Sequence, residues 1–231
     1  MGTIGVSYIG MNSGDIDRTT ADAAGEITNT GNKFAFTASA ITVSYSNKLN
    51  NFMEGNEIID AIAVGLNFKK LGDSETADNT EDSGIAFDAG GLYKTPVEGL
   101  TAGLVFQNLG PAMSQSAASL PMTIKLGGLY EVIPTEDQLI NVVVDINIGF
   151  DGTFLPAFGV EYIPIEMASV RVGYAKRDIS GLTVGVGLRY PMEDSGIDPR
   201  FDLAYVPTTD FGSTIRFGLT VGFAGIGGSE E

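Results

Sequence analysis

Gly181-Leu182-Thr183-Val184-Gly185-Val186-Gly187-Leu188-Arg189-Tyr190 alternates large apolar side chains with small or polar ones along its whole length. A period of two is the signature of a β-strand with one apolar face. Leu182, Val184, Val186, Leu188 and Tyr190 share that face, and Thr183, Gly185, Gly187 and Arg189 share the other. Outward from this stretch the pattern repeats. Downstream it runs through Phe201, Leu203 and Tyr205, then Ile215, Phe217, Leu219, Val221 and Phe223; upstream, through Val170, Val172 and Tyr174, Phe158, Val160 and Tyr162, and Ile140 to Ile148 at even positions. The opposite parity carries Asn141, Asp145, Gly159, Glu161, Arg171, Gly173, Asp202, Ala204, Arg216 and Gly218.

Gly, Pro, Asn, Asp and Ser clusters divide the chain into about twelve predicted strands. They lie near 2–11, 34–46, 57–70, 84–94, 99–108, 121–132, 138–149, 156–163, 167–176, 181–190, 199–206 and 213–223. Helical spacing is nowhere sustained and no linker separates domains, so residues 1–223 read as one β domain and 224–231 as a flexible acidic tail. Phe34 and Phe36 lie on one parity whereas Ile41, Val43 and Tyr45 lie on the other, which predicts a bulge near Thr37 to Ala40.

One apolar face suits either a soluble sandwich or a membrane barrel. Three features favour the barrel. The polar face is mostly Gly, Ala, Ser and Thr with about one ionisable residue per strand, as in a confined interior. Tyr93, Tyr130, Tyr162, Tyr174, Tyr190 and Tyr205 close the apolar stripes, where aromatic rings meet a membrane interface. Connections 12–33, 71–83 and 109–120 read as long, and 95–98, 133–137 and 164–166 as short, the asymmetry of external loops and periplasmic turns. The expected fold is an all-β antiparallel transmembrane barrel in the bacterial outer membrane. The competing reading is a soluble or cell-surface structural β-sheet protein that self-assembles.

Composition removes other classes. The chain of 231 residues has no His, no Cys and no Trp, so His-dependent triads, Cys nucleophiles, disulfides and zinc-finger sites are excluded. Its 13 basic and 29 acidic residues give a net charge of −16, which repels nucleic acid. No run of about 18 apolar residues predicts a membrane-spanning helix. The start, Met1-Gly2-Thr3-Ile4, lacks a basic region followed by an apolar one, so no signal peptide is expected in this chain and it reads as a processed or truncated product.

The acidic stretch from Asp73 to Gly84 lacks EF-hand spacing and reads as a solvated loop. Asp15 and Asp17 suggest no catalytic pocket, and Gly185-Val186-Gly187 and Gly225-Ile226-Gly227-Gly228 are not phosphate loops. No enzyme activity, metal or cofactor is expected. The informative charges are those of the polar face: Lys125, Asp145, Glu161, Arg171, Arg189, Asp202 and Arg216, read as a lumen network. Lys125 is expected beside Asp145, Glu161 beside Arg171, and Arg189 and Arg216 on either side of Asp202, because opposite charges offset the cost of enclosure. Such a network either filters solutes or neutralises a plugged interior.

The stretch Gly91-Leu92-Tyr93-Lys94-Thr95-Pro96-Val97-Glu98-Gly99-Leu100-Thr101-Ala102-Gly103-Leu104-Val105-Phe106-Gln107-Asn108-Leu109-Gly110-Pro111 resembles the PorV/PorQ family of outer-membrane proteins, related in fold to the FadL fatty-acid transporters. Leu120-Pro121-Met122-Thr123, Gly159-Val160-Glu161-Tyr162, Val170-Arg171-Val172-Gly173-Tyr174, the stretch 181–190, Asp202-Leu203-Ala204-Tyr205-Val206-Pro207, Asp210-Phe211-Gly212 and Thr214-Ile215-Arg216-Phe217 continue the likeness over roughly residues 1–223. The resemblance implies passive transport of small or hydrophobic solutes, or an accessory role in protein secretion. Outer-membrane lipid, a hydrophobic small molecule or a secretion-system component are the partners it implies. The family's amino-terminal region, with its first strands and plug, is missing from this sequence, and a family-type barrel has about fourteen strands. A fragment would leave edges at Ile4, Val6 and Tyr8 and at Ile215, Phe217 and Leu219, which invite closure or homo-oligomers through edge strands.

Overall fold

The computed structural model describes residues 2–53, 55–77, 79–135, 138–176, 181–192, 196–208 and 212–223. The tail expected at 224–231, the Asp210-Phe211 pair and Asp78 of the acidic stretch lie outside the described residues. In chain order the strands are β1 (Thr3–Asn12), β2 (Ile16–Ala21), β3 (Ile27–Phe34), β4 (Phe36–Lys48), β5 (Ile62–Glu75), β6 (Thr80–Lys94) and β7 (Leu100–Leu109). They continue as β8 (Thr123–Thr135), β9 (Gln138–Gly149), β10 (Phe154–Ile165), β11 (Ala168–Ala175), β12 (Gly181–Arg189), β13 (Ile197–Thr208) and β14 (Gly212–Phe223). Twelve of them form one sheet in the order β1-β4-β5-β6-β7-β8-β9-β10-β11-β12-β13-β14, and β2 and β3 form a separate hairpin.

The chain divides into two compact units. The first comprises Met1–Tyr93, Leu104–Ile124 and Gly149–Asp151, and its strands β1, β4, β5 and β6 pair antiparallel. Here the register sets Val6, Val43, Phe68 and Phe87 in one row across four strands and Gly5, Ser44, Asn67 and Asp88 in the row of opposite parity. The second unit comprises Lys94–Gly103, Lys125–Ile148 and Gly152–Glu231, and β9 to β14 pair antiparallel within it. Val142, Val160, Val172, Val184, Tyr205 and Ile215 form one large-residue row, and Ile140, Tyr162, Val170, Val186, Leu203 and Phe217 the next. The two faces expected from the alternation are thus continuous across β1, β4, β5 and β6 and across β9 to β14, since a shift of one residue in any of these strands would have turned its apolar set over.

Burial is the reverse of that in a water-soluble protein. Among the described residues the buried apolar core is Ala86 alone, whereas Ile4 and Val6 are 74% exposed and Phe217 is 88% exposed. In water each half-exposed Val, Leu, Ile or Phe forgoes roughly half of the ~1.5–3 kcal/mol that burial gives. Along the rows of β9 to β14 that sum exceeds the ~5–15 kcal/mol of a domain's net stability.

Four local expectations are corrected. Residues 12–33 are not an open connection: they contain the β2–β3 hairpin, turned at Asp22, whose Oδ1 accepts from Ala24 N at 2.8 Å and Glu26 N at 2.9 Å. Both faces of this hairpin are polar and exposed, so no alternation marks it. The strand expected from residue 57 starts at Ile62, because Asn56 caps a four-residue helix, Glu57–Asp60, accepting from the backbone of Ile58 and Ile59. The acidic stretch is the tip of a long hairpin, β5 running to Glu75 and β6 starting at Thr80, with Asp73 opposite Asp82. No bulge interrupts β4: Phe34 belongs to β3, and the register of β4 is continuous, so Phe36 lies on the face of β4 opposite to Ile41, Val43 and Tyr45.

Candidate functional site

In the second unit one row of the small-residue face reads Asn141, Glu161, Arg171, Gly185, Ala204 and Arg216 on β9 to β14. Glu161 and Arg171 stand directly opposite each other, as expected, and Arg171 Nε donates to Glu161 Oε1 at 2.6 Å. Arg171 Nη1 also donates to Asp202 Oδ1, and Asn141 Nδ2 donates to Glu161 Oε2 at 2.8 Å. Asp202 lies two strands from Arg171, so the guanidinium has to cross β12. Gly187 leaves the room: a Cβ there would sit 2.5 Å from Ser169 Oγ, 3.0 Å from Asp202 Oδ1 and 3.1 Å from Arg171 Nη2. Of the three glycines on this face of β12, Gly187 therefore serves a side-chain bridge as well as a strand.

The other expected members separate from this bridge. Arg189 does not flank Asp202; its Nε donates to Asp198 Oδ1 at 2.8 Å and its Nη1 to Glu166 Oε1 at 2.7 Å. Arg200, opposite Arg189 in the register, donates through Nη2 to Asp198 Oδ2 at 2.7 Å. Asp198 thus separates two like charges that cross-strand pairing forces together. The sequence reading missed it because the strand was expected to begin at residue 199. Lys125, Asp145 and Arg216 make no salt bridge among the described residues. The register explains Arg216, which faces Ala204 while Asp202 faces Gly218. Asp145 Oδ1 lies 2.6 Å from where a Cβ on Gly127 would be, so β8 presents a glycine to it and not Lys125.

Two cavities lie on this face. One of about 910 Å³ is lined by Leu129, Val143, Ala175, Gly181, Val206 and Thr214 among others, drawing on strands from β8 to β14. The other, of about 1040 Å³, is lined by Ile163, Glu166, Ala168, Arg189, Arg200 and Thr220 and is richer in charge. Among the described residues, Glu161, Arg171 and Asp202 alone line both.

The first unit holds a polar centre that the sequence reading overlooked. Lys69 Nζ lies 2.8 Å from Asp88 Oδ2, with side chains only 15% and 5% exposed. Asn67 Nδ2 donates to Asp88 Oδ2 at 2.9 Å, the Asn108 backbone N–H to Asp88 Oδ1 at 2.8 Å, and Lys69 Nζ to Asn108 Oδ1 at 2.9 Å. Asn108 sits at φ +58°, in the left-handed region that asparagine tolerates, within the Gln-Asn-Leu-Gly-Pro stretch. The shared parity of Asn67 and Lys69 on β5 was the available signal; their pairing with Asp88 depended on register.

Past the apolar band of β6, Asp82 holds the 110–122 connection. Its carboxylate accepts from Ser114 Oγ at 2.9 Å, Gln115 N at 2.8 Å, Ser116 N at 2.9 Å and Ser116 Oγ at 2.5 Å. The Ser116 hydroxyl first, and then the Gln115 and Ser116 backbone N–H groups, hold its carboxyl well below the usual carboxylate range.

No family model matches the sequence, and no curated protein matches it. Among solved structures the chain is similar to an outer-membrane channel from Pseudomonas putida F1, with 14% sequence identity and a TM-score of 0.47, over 95% of this chain and 93% of the channel.

Proposed function

We propose that the chain is a bacterial outer-membrane β-barrel protein, not an enzyme, whose small-residue face lines a passive path for small or hydrophobic solutes. The observation that carries this reading is the inversion of burial: a large-residue face open to the surroundings, opposite a small-residue face on which Glu161, Arg171 and Asp202 pair and line two cavities. Lipid is the medium in which such an apolar face is stable. The resemblance to the PorV/PorQ family supports the same compartment and adds accessory work in secretion as a role for the same barrel. Outer-membrane lipid is the primary partner on this reading, and pairing through edge strands provides a route to homo-oligomers.

Refolding tests it. The chain should acquire β structure and protease resistance only with detergent or lipid vesicles, and vesicles containing it should swell in small neutral sugars faster than empty ones. A chain that stays folded and monomeric in plain buffer would overturn the membrane reading in favour of a soluble β protein, and insertion without swelling would remove the transport role.

A further inference from the structure

We propose that the Glu161–Arg171–Asp202 bridge is a bar that divides the solute path into two chambers and sets what passes between them; this rests on the transport reading above. The bar consists of the three described residues that line both cavities. One chamber reaches toward the β11–β12 end, at Ala175 and Gly181, and the other toward the β10–β11 end, at Ile165 and Ala168. The bar spans four consecutive strands, from Glu161 on β10 through Arg171 on β11 and over Gly187 on β12 to Asp202 on β13. Asn141 extends it to β9 through its bond to Glu161.

The charges of the bar also determine what an opened path would select. Two carboxylates face one guanidinium, so removal of Arg171 leaves Glu161 and Asp202 without their counter-charge on the wall of the path, where they attract a cation. An opened bar therefore favours solutes carrying an ammonium or guanidinium group. Arg171 is in effect a resident cation on a tether, and it is a specificity-determining residue of the path.

The experiment compares parent, R171A, and the triple variant R171A/E161Q/D202N in vesicles and planar bilayers. R171A should pass a larger neutral sugar that the parent excludes and raise the cation-over-anion permeability ratio several-fold. The triple variant should pass the same sugar without that cation preference. As a safeguard against misfolding of R171A, D202N, which frees only the β13 end of the bar, provides a second measure and should raise sugar passage part of the way. R171A, or D202N in its place, inserting with sugar cut-off and ion preference unchanged from a conducting parent would overturn the bar. Absence of passage in parent and variants alike, despite insertion, would overturn the transport reading itself, and the bar with it.

Discussion

Arg171 and Lys69 are both cations among carboxylates on the small-residue face, yet their surroundings predict different penalties for removal. Lys69 and Asp88 are nearly enclosed, and Asp88 retains only the Asn67 amide and the Asn108 N–H once the ammonium is gone. Lys69→Met should therefore lower stability by about 3–5 kcal/mol, the range for stripping a buried charge of its partner. Arg171 is 44% exposed, so solvent screening reduces its contribution, and Arg171→Leu should cost about 1–2 kcal/mol. Urea unfolding in lipid vesicles measures both. Adding Glu161→Gln to Arg171→Leu should recover part of the loss, since the carboxylate left behind is what makes the single change costly. A gain in stability for Arg171→Leu alone would mean that this residue faces lipid.

At the scale of elements, the Asp82 carboxylate links the β5–β6 hairpin to the 110–122 connection. Its folded-state pKa is depressed below the ordinary ~3.9 of aspartate. The docking it contributes is then complete above the unfolded pKa and is lost as pH falls through the folded one. Hydrogen exchange at the Gln115 and Ser116 amides should show protection that holds from neutrality to about pH 4 and declines only in stronger acid. Asp82→Asn should remove that protection at every pH, because a neutral amide is a weaker acceptor for four donors. The same elements show which parts of the fold were legible. Gly181 to Arg189 became β12 because its alternation is complete, and the twelve sheet strands follow from the same signal. The β2–β3 hairpin was not legible: Thr, Asn and Asp on both faces leave it to the backbone ladder, the Asp22 turn and the Thr30 hydroxyl, which donates to the Arg18 carbonyl at 2.7 Å.

For the whole molecule the decisive quantity is the sign of the energy of its large-residue face. Phe217, at 88% exposure, is the most informative probe. In a membrane, Phe217→Arg should destabilise by about 2–4 kcal/mol if it lies at mid-depth, less near an interface. In a soluble β protein the same change would improve solubility at little cost. Unfolding of the variant in vesicles, together with its yield in buffer without detergent, distinguishes the two.

What the amino-acid sequence determined by itself is the element type, the division of each strand into a large and a small face, and the exclusion of His- and Cys-based chemistry, because these are properties of side-chain period and composition. It also placed Glu161 beside Arg171, since neighbouring strands joined by a short turn have little freedom of register. Tertiary structure alone decided that Arg171 passes over Gly187 to Asp202, that Arg189 turns to Asp198 and Glu166, and that Lys69 meets Asp88. Those partnerships depend on the relative register of strands and on the reach of long side chains across a glycine, and pairwise alternation along the chain encodes neither.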